Sequence, residues 1–541
     1  MGHHHLVLDV GRDSFLIDCG MLMPSPGDPG IDRITPSFDP ALRRRADGSL
    51  RGLVLTHGHL DHIGAVPDLL AEIPDLPVYG TSWALALVER ALRRRDDRRT
   101  RSPDLRRVEP GQSISIGSST VQWFAVTHSL PEACSVAVRG DAGCIVHSGD
   151  FRVQDEPLLG PPTDVEGLRA LGRQGVDLAL VDSTGGGSPG STVPERVLAE
   201  RLRVAVGGVQ GLAVVTLFSS HLERLWACVL AARATGRQVC VLGRSLVETV
   251  ELGERHGVLP LRAGELLAPG RLSSTPRCKV LVVVTGTQGE WMAPLARMAR
   301  GEESSVSLGP GDAVFWSARV IPGNERGVGL VVNRLVDRGV RVVPPWGASE
   351  PLHTSGHGRQ EEVARWLGWV KPRCVVPIHG EPWHLQAHRE ALEQLLSADR
   401  VLSVRTGQRL VREDLEAAWT LGPAGTAEPT MHAEGGLRFR PTDPALASRR
   451  RAGTAGAMTV LIRWTRQEPA DRIAVITIGV VPEERRLEFE RELEEVIAVE
   501  AAAHRPQPDL EARREQVRLM ARSAVRARTG TRPMCTVRLL C

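Results

Sequence analysis

At 541 residues the chain exceeds one ordinary domain, and its 42% apolar content supports more than one sizeable core. A net charge of +3 excludes a bulk polycation that binds nucleic acid by charge alone. No apolar run reaches the length of a membrane helix, so no membrane association is expected. Lysine occurs only at 279 and 371, so the positive charge is nearly all arginine, the side chain that grips phosphate bidentately. The nine cysteines are scattered with no CxxC pair, which fits a reducing cytoplasm and small buried apolar roles.

In chain order, the GHHH of residues 2–5 reads as the start of a strand, HHLVLDV, with no further role. Residues 5–160 then read as short strands with one clear helix. The strands are HLVLDV, SFLIDCG, LRGLVLT, PVYGT, SISIG, TVQWFAVT, ACSVAVRG and GCIVHSGD; the helix is IGAVPDLLAEI. From 177 to 345, apolar strands alternate with helical patterns: VDLALVDST, GLAVVTLFSS, RQVCVLG, CKVLVVVTG, DAVFWSA and RVVPP, separated by stretches such as HLERLWACVLAARATG and ERGVGLVVNRLVDRG. That texture predicts βαβ units and a parallel sheet. A stretch rich in Gly, Pro, Ala and Thr at 421–457 reads as a linker, and 458–541 as a small α+β unit.

The densest chemistry lies in LVLTHGHLDHIGAVP, where His57, His59, Asp61 and His62 follow an apolar strand and lead into a helix. Alternation along the loop turns His57 and His59 toward one site and Asp61 and His62 toward a second. Imidazole with carboxylate suits Zn²⁺ and, less well, Mn²⁺. Four ligands do not close two sites, so more are expected downstream. His128 (VTHSL), Asp150 (HSGDF), His379 (PIHGE) and Asp18 (LIDCG) each follow or end a strand. Alone, each is more often structural; together they have the layout that a dinuclear site requires.

These stretches, with LVDST, VTGTQGEWMAPLARMARGE, VIPGNERGV, HTSGHG, VKPRCVVPIHGE and the terminal TGTRPMCTVRLL, resemble the ribonuclease J family, in the β-CASP branch of the metallo-β-lactamase fold. The resemblance covers essentially the whole chain. It implies an α/β architecture: a metallo-β-lactamase αββα sandwich (1–195 and 346–420), an inserted β-CASP parallel α/β domain (196–345), the 421–457 linker and a C-terminal α+β domain (458–541). It implies that His57, His59, His128 and Asp150 hold one metal and Asp61, His62, Asp150 and His379 the other. The cofactors would be two Zn²⁺ ions, with Mn²⁺ or Mg²⁺ as substitutes. Asp182 would orient a metal-binding histidine. His357, near the scissile phosphate, would act as acid or phosphate donor, with His353, Ser355 and Gly356 donating to phosphate.

The implied activity is 5′–3′ exonuclease and/or endonuclease action on single-stranded RNA, preferably 5′-monophosphorylated, in rRNA processing and mRNA decay. Ser219, Ser220 and His221, at an expected helix N-terminus, are candidates for a 5′-phosphate pocket, and Gly243 to Ser245 are a second. A homodimer or tetramer is expected. Arg93 to Arg99 and Arg449 to Arg451 are candidate RNA contacts, though solvated surface is the commoner role of such runs. The chain departs from the family in three ways: it lacks a Gly-rich first strand before HHLVLDV, DSTGGG omits the usual asparagine after DST, and His221 stands where Ser-Asn is commoner. Two other classes fit parts of the pattern. A small-molecule hydrolase of thioesterase or lactonase type fits the opening motif but not the long insertion. A silent RNA-binding scaffold does not need the full ligand series.

Overall fold

The computed structural model describes residues 4–25, 27–94, 102–347, 351–423, 425, 428–433, 437–463, 472–503 and 509–540. The chain divides into two compact units, Met1–Leu22 with Pro36–Ala427, and Met23–Thr35 with Glu428–Cys541.

The first unit is built on two facing sheets. One runs Leu6–Val10, Asp13–Ile17, Leu50–Val54, Val78–Gly80, Leu105–Arg107, with parallel pairing after the first hairpin. The other runs Cys374–Ile378, Leu178–Asp182, Gly143–His147, Cys134–Gly140, Ser119–Ala125, Ser113–Ile116, parallel for its first three strands and antiparallel after them. Strand alternation sorts the side chains. Phe15, Ile17 and Val54 of the first sheet meet Trp123, Val136, Ile145, Leu180 and Val376 of the second in one core. The other faces pack on helices. Leu16, Leu53 and Leu55 lie under Val66–Glu72 and Ser82–Arg94. Val146, Ala179, Val181 and Val375 lie under Val165–Gln174 and Gln360–Val370. This is the αββα sandwich that the resemblance implies.

Between the sandwich strands Leu178–Asp182 and Cys374–Ile378 lies a five-stranded, all-parallel sheet in the order Gln238–Leu242, Val280–Val284, Ala213–Thr216, Ala313–Trp316, Arg341–Val343. Helices cover both faces, which is why its strands read as continuous apolar runs. The join carries buried charge: Arg152 pairs with Glu223 at 2.6 Å, and Arg224 with Glu195 at 2.7 Å.

The second unit contains a three-stranded sheet with Ala457–Arg463 in the centre, antiparallel to Arg472–Ile478 and parallel to Met534–Leu540. Helices Arg486–Ala503 and Leu510–Thr529 cover one face through Phe489, Leu493, Ile497, Val517 and Val525.

Several elements differ from the sequence reading. Residues 421–457 hold strands Thr430–Ala433 and Arg438–Phe439 and helix Pro444–Ala455; Thr430–Ala433 pairs with Ile31–Thr35, a long-range contact that local composition does not encode. The helix expected over IGAVPDLLAEI is confined to Val66–Glu72, where Pro67 suits a first turn, and a separate short helix Leu60–Ile63 precedes it. Residues 5–160 also hold helices Asp39–Ala46 and Ser82–Arg94, whose arginines obscured the apolar stripe. Among the described residues no helix is long and apolar enough to cross a membrane.

Candidate metal centre

The chemistry-bearing residues gather where strands of both sheets end. In the first sheet, Ile17 and Val54 are in register, so Asp18 and the 55–62 loop emerge together. In the second, Asp182 is level with Ile378, which sets His379 beside the carboxylate. Asp18 and His379 take φ of 59° and 55°. Non-glycine residues rarely accept this left-handed conformation, which costs roughly 1–3 kcal/mol each. Close packing holds the loops: a Cβ on Gly20 would collide with the Asp61 carbonyl, and one on Gly356 would lie 2.8 Å from His128 Cε1.

The first donor group is His57, His59, His128 and Asp150, whose ligand atoms lie within 4.8 Å of one another. His59 Nδ1 is 3.1 Å from both His57 Nε2 and His128 Nε2; Asp150 Oδ2 is 3.6 Å from His57 Nε2 and 4.0 Å from His128 Nε2. Ligands on a tetrahedral zinc stand about 3.3 Å apart, so these separations fit one cation. Hydrogen bonds behind the rings set which nitrogen faces inward. Thr56 Oγ1 donates to Asp18 Oδ2 at 2.7 Å and accepts from His57 Nδ1 at 3.0 Å, leaving His57 Nε2 free. His128 Nδ1 donates to the Gly356 carbonyl at 2.7 Å, which likewise frees its Nε2.

The second donor group adjoins it. His62 Nδ1 donates to Asp18 Oδ2 at 2.7 Å, and its Nε2 points to Asp150 Oδ2 at 3.2 Å. His379 Nε2 is 3.4 Å from Asp61 Oδ2, while its Nδ1 meets Asp182 Oδ1 at 3.1 Å. Although His62 Nε2 lies near Asp150, the approach is not a hydrogen bond; it and Asp150 Oδ1 are buried atoms without hydrogen-bond partners. Orphaned donors of this kind fit a divalent cation. Asp182 Oδ2 accepts from His357 Nδ1 at 2.7 Å. Asp150, Asp182, His357 and His379 therefore also place ligand-type atoms within 4.8 Å of one another.

Electrostatics divide the histidines. Burial holds His57 and His128 well below the ordinary range and carries His59 down to about 4, so these rings are neutral and fit to ligate. Burial also opposes charge on the other three. For His379, Asp150 together with hydrogen bonds to Asp182 and Asp61 outweighs it and lifts the ring to about 10. Asp150 and Asp18 raise His62, and Asp182 and Asp150 raise His357. The same cations hold the carboxyls of Asp61, Asp150 and Asp182 below their ordinary range despite burial.

Not every expected residue joins the cluster. Asp18 does not face the donor groups: its carboxylate is taken up by Thr56 and His62. His221 caps helix Leu222–Ala234, its Nδ1 accepting from the Arg224 N–H at 3.2 Å. Its buried Nε2 and the buried His353 Nδ1 have no hydrogen-bond partner. Ser219 is half-buried and Ser220 exposed just before that cap. Ser355 Oγ accepts from the His357 N–H at 3.1 Å. Gly243, Arg244 and Ser245 line a separate open cavity of about 780 Å³ with Arg94 and Arg297. Of the run from Arg93 to Arg99, residues 95–99 lie outside the described residues. Arg449 and Arg450 bond the 27–30 turn of their own unit.

The sequence reading missed His4, which is buried against His62 and His379, and His147, buried with its Nδ1 accepting from the Gly149 N–H. His147 sits in the quoted HSGD segment, and His4 lies in the GHHH run that the sequence reading gave no role.

Comparison with known proteins agrees with this geometry. Residues 16–186 match the beta-lactamase superfamily domain, 210–335 the ribonuclease J beta-CASP domain, and 349–400 the Zn-dependent metallo-hydrolase RNA specificity domain. Ribonuclease J of Sinorhizobium meliloti is 32% identical over 97% of this chain and 92% of its own. Ribonuclease J of Corynebacterium glutamicum is 35% identical over 75% of this chain, and that of Mycolicibacterium smegmatis 38% over 69%. The chain spans only 56% and 65% of those two proteins. A solved Enterococcus faecalis protein of unknown function shares the fold, with a TM-score of 0.50 at 14% identity over 78% of this chain and 97% of that one.

Proposed function

The chain belongs to the ribonuclease J family, and on that premise we propose that it is a metal-dependent ribonuclease hydrolysing single-stranded RNA to products with 5′-phosphates. The observation that carries the reading is Asp150, whose carboxylate stands between His57 and His128 on one side and His62 and His379 on the other. A shared carboxylate between two imidazole groups is what a two-metal phosphodiesterase needs. Zn²⁺ suits the nitrogen-rich first group best, with Mn²⁺ or Mg²⁺ as alternatives at the second. His57, His59, His128 and Asp150 would hold one ion, and Asp61, His62, Asp150 and His379 the other.

Cations held there would activate an attacking water and offset the charge that develops on the phosphoryl group. The protein does the rest. Asp182 aligns His357 and His379 through one carboxylate. It also shifts His357 toward its protonated form, from which this ring, whose side chain is 15% exposed, would give a proton to the leaving 3′ oxygen or a hydrogen bond to the phosphate. His353, Ser355 and Gly356 lie on the same loop and would position the phosphate. The 5′-monophosphate would dock at Ser219, Ser220 and His221, favouring 5′–3′ exonuclease action, with internal cleavage as a second mode. Domain limits at 195, 345, 420 and 457, a cytoplasmic homodimer or tetramer, and roles in rRNA processing and mRNA decay complete the proposal.

Single-stranded RNA labelled at its 5′-monophosphate tests it, incubated with Mn²⁺ or Zn²⁺ beside an Asp61→Ala, His62→Ala variant. Labelled mononucleotide from the intact protein alone is the expected result, and longer labelled fragments mean internal cleavage. RNA that stays whole while the protein holds two metals sinks the nuclease reading.

A further inference from the structure

His4 is pinned into the second donor group rather than lying at a loose end. Its N–H donates to the Asp61 carbonyl at 2.8 Å, and its own carbonyl accepts from the Gly20 N–H at 2.7 Å. Both anchors belong to the metal-bearing loops. The ring is 9% exposed and lies against three imidazoles. It stacks on His62 with centroids 4.7 Å apart and planes 9° from parallel, sits 4.5 Å from His379, and meets His147 edge-on at 5.4 Å. One nitrogen each from His4, His62 and His379 lie within 4.8 Å of one another.

Three buried imidazoles with clustered nitrogens are unfavourable unless a common partner satisfies those nitrogens. The unpartnered His62 Nε2 marks the place where that demand is concentrated.

We propose that His4 supplies a third imidazole to the second cation position, joining His62 and His379. This inference rests on the metal-dependent reading above. A third nitrogen donor beside the Asp61 and Asp150 oxygens biases the position toward Zn²⁺ and away from the hard, oxygen-preferring Mg²⁺ and Mn²⁺.

The test uses the full chain, stripped of metal and titrated with Zn²⁺ against a chromophoric chelator, then with Co²⁺ while the visible d–d spectrum is followed. Wild type, His4→Ala and His4→Asn are compared, with circular dichroism to confirm folding; the asparagine keeps a polar side chain without an imidazole. The expected result is two equivalents in the wild type and an unchanged first equivalent in both variants. The second equivalent should weaken by at least about tenfold and change its Co²⁺ spectrum. Its affinity for Mg²⁺ should change less than that for Zn²⁺. A second equivalent of the same affinity and spectrum in both variants overturns the role of His4 and leaves the ribonuclease reading standing. A wild-type chain that takes up no cation overturns both.

Discussion

Asp182 and His357 form a 2.7 Å hydrogen bond across 175 residues of sequence, and the other oxygen of the same carboxylate meets His379. One acidic side chain therefore sets the orientation of two rings and favours the charged form of His357.

Asp182→Asn keeps the shape and removes that charge. Asp182 is the leading influence that raises His357 against the cost of burial, so the substitution lowers the ring's pKa. With His357 as proton donor, the alkaline limb of the kcat profile moves to lower pH, and kcat falls by about 10–100-fold. A pH–rate profile on labelled RNA checks it; an unmoved limb removes His357 from acid duty.

Stability of the metal-free chain should decline with alkalinity. His379 is lifted to about 10 in the folded state, above its ordinary value near 6.5. Its contribution is complete below the lower value and is lost as pH rises through the higher one. Cations displace the same proton. The Tm of chelated protein should therefore fall across this window while the Tm of loaded protein falls less, and Zn²⁺ uptake should release protons in weak buffer. A chelated Tm that rises across the window contradicts the charge assignment.

Asp150→Asn should weaken both cation equivalents, whereas His57→Ala should weaken one. The reason is position: Asp150 faces both donor groups, and His57 faces the first alone. Elemental analysis after dialysis against chelator separates the two outcomes, and equal losses from both variants argue against a shared carboxylate.

Gly20→Ala should destabilise the chain by about 1–3 kcal/mol, because the new methyl meets the Asp61 carbonyl. Chemical denaturation of the chelated protein measures this. A neutral result would mean that the 18–20 and 60–62 segments are free to part.

Arg224→Met should cost about 3–5 kcal/mol. Arg224 is fully buried, pairs with Glu195, and also donates to Ser317 Oγ and the Leu352 carbonyl. Its removal leaves the buried Glu195 carboxylate sharing Arg152 with Glu223 and strips Ser317 and Leu352 of their donor. Arg203→Met, which breaks an exposed pair with Glu200, should leave stability nearly unchanged, so the two variants calibrate one another in the same denaturation experiment.

The legible parts of this molecule share one property: their signal is local. His57, His59, Asp61 and His62 are six residues deep behind an apolar strand, and the strands of the parallel sheet are apolar throughout because both faces are covered. What escaped was set by distant partners. His4 sits in a short histidine run with no strand before it, and only the fold brings it to His379. Asp18 has the right type and place for a ligand, yet its oxygens are claimed by Thr56 and His62. Nothing local to Arg152, Glu195, Glu223 and Arg224 says that they neutralise one another in the interior.

The pairing of Leu178–Asp182 with Cys374–Ile378 has a consequence in time as well as in space. The strand that carries the Asp182 side of the centre waits, during synthesis, for a partner that follows the entire inserted domain. Until residue 379 has left the ribosome, the edge of the sheet is open and one donor group lacks a member. A nascent chain is thus unable to complete the second donor group until that last member has arrived.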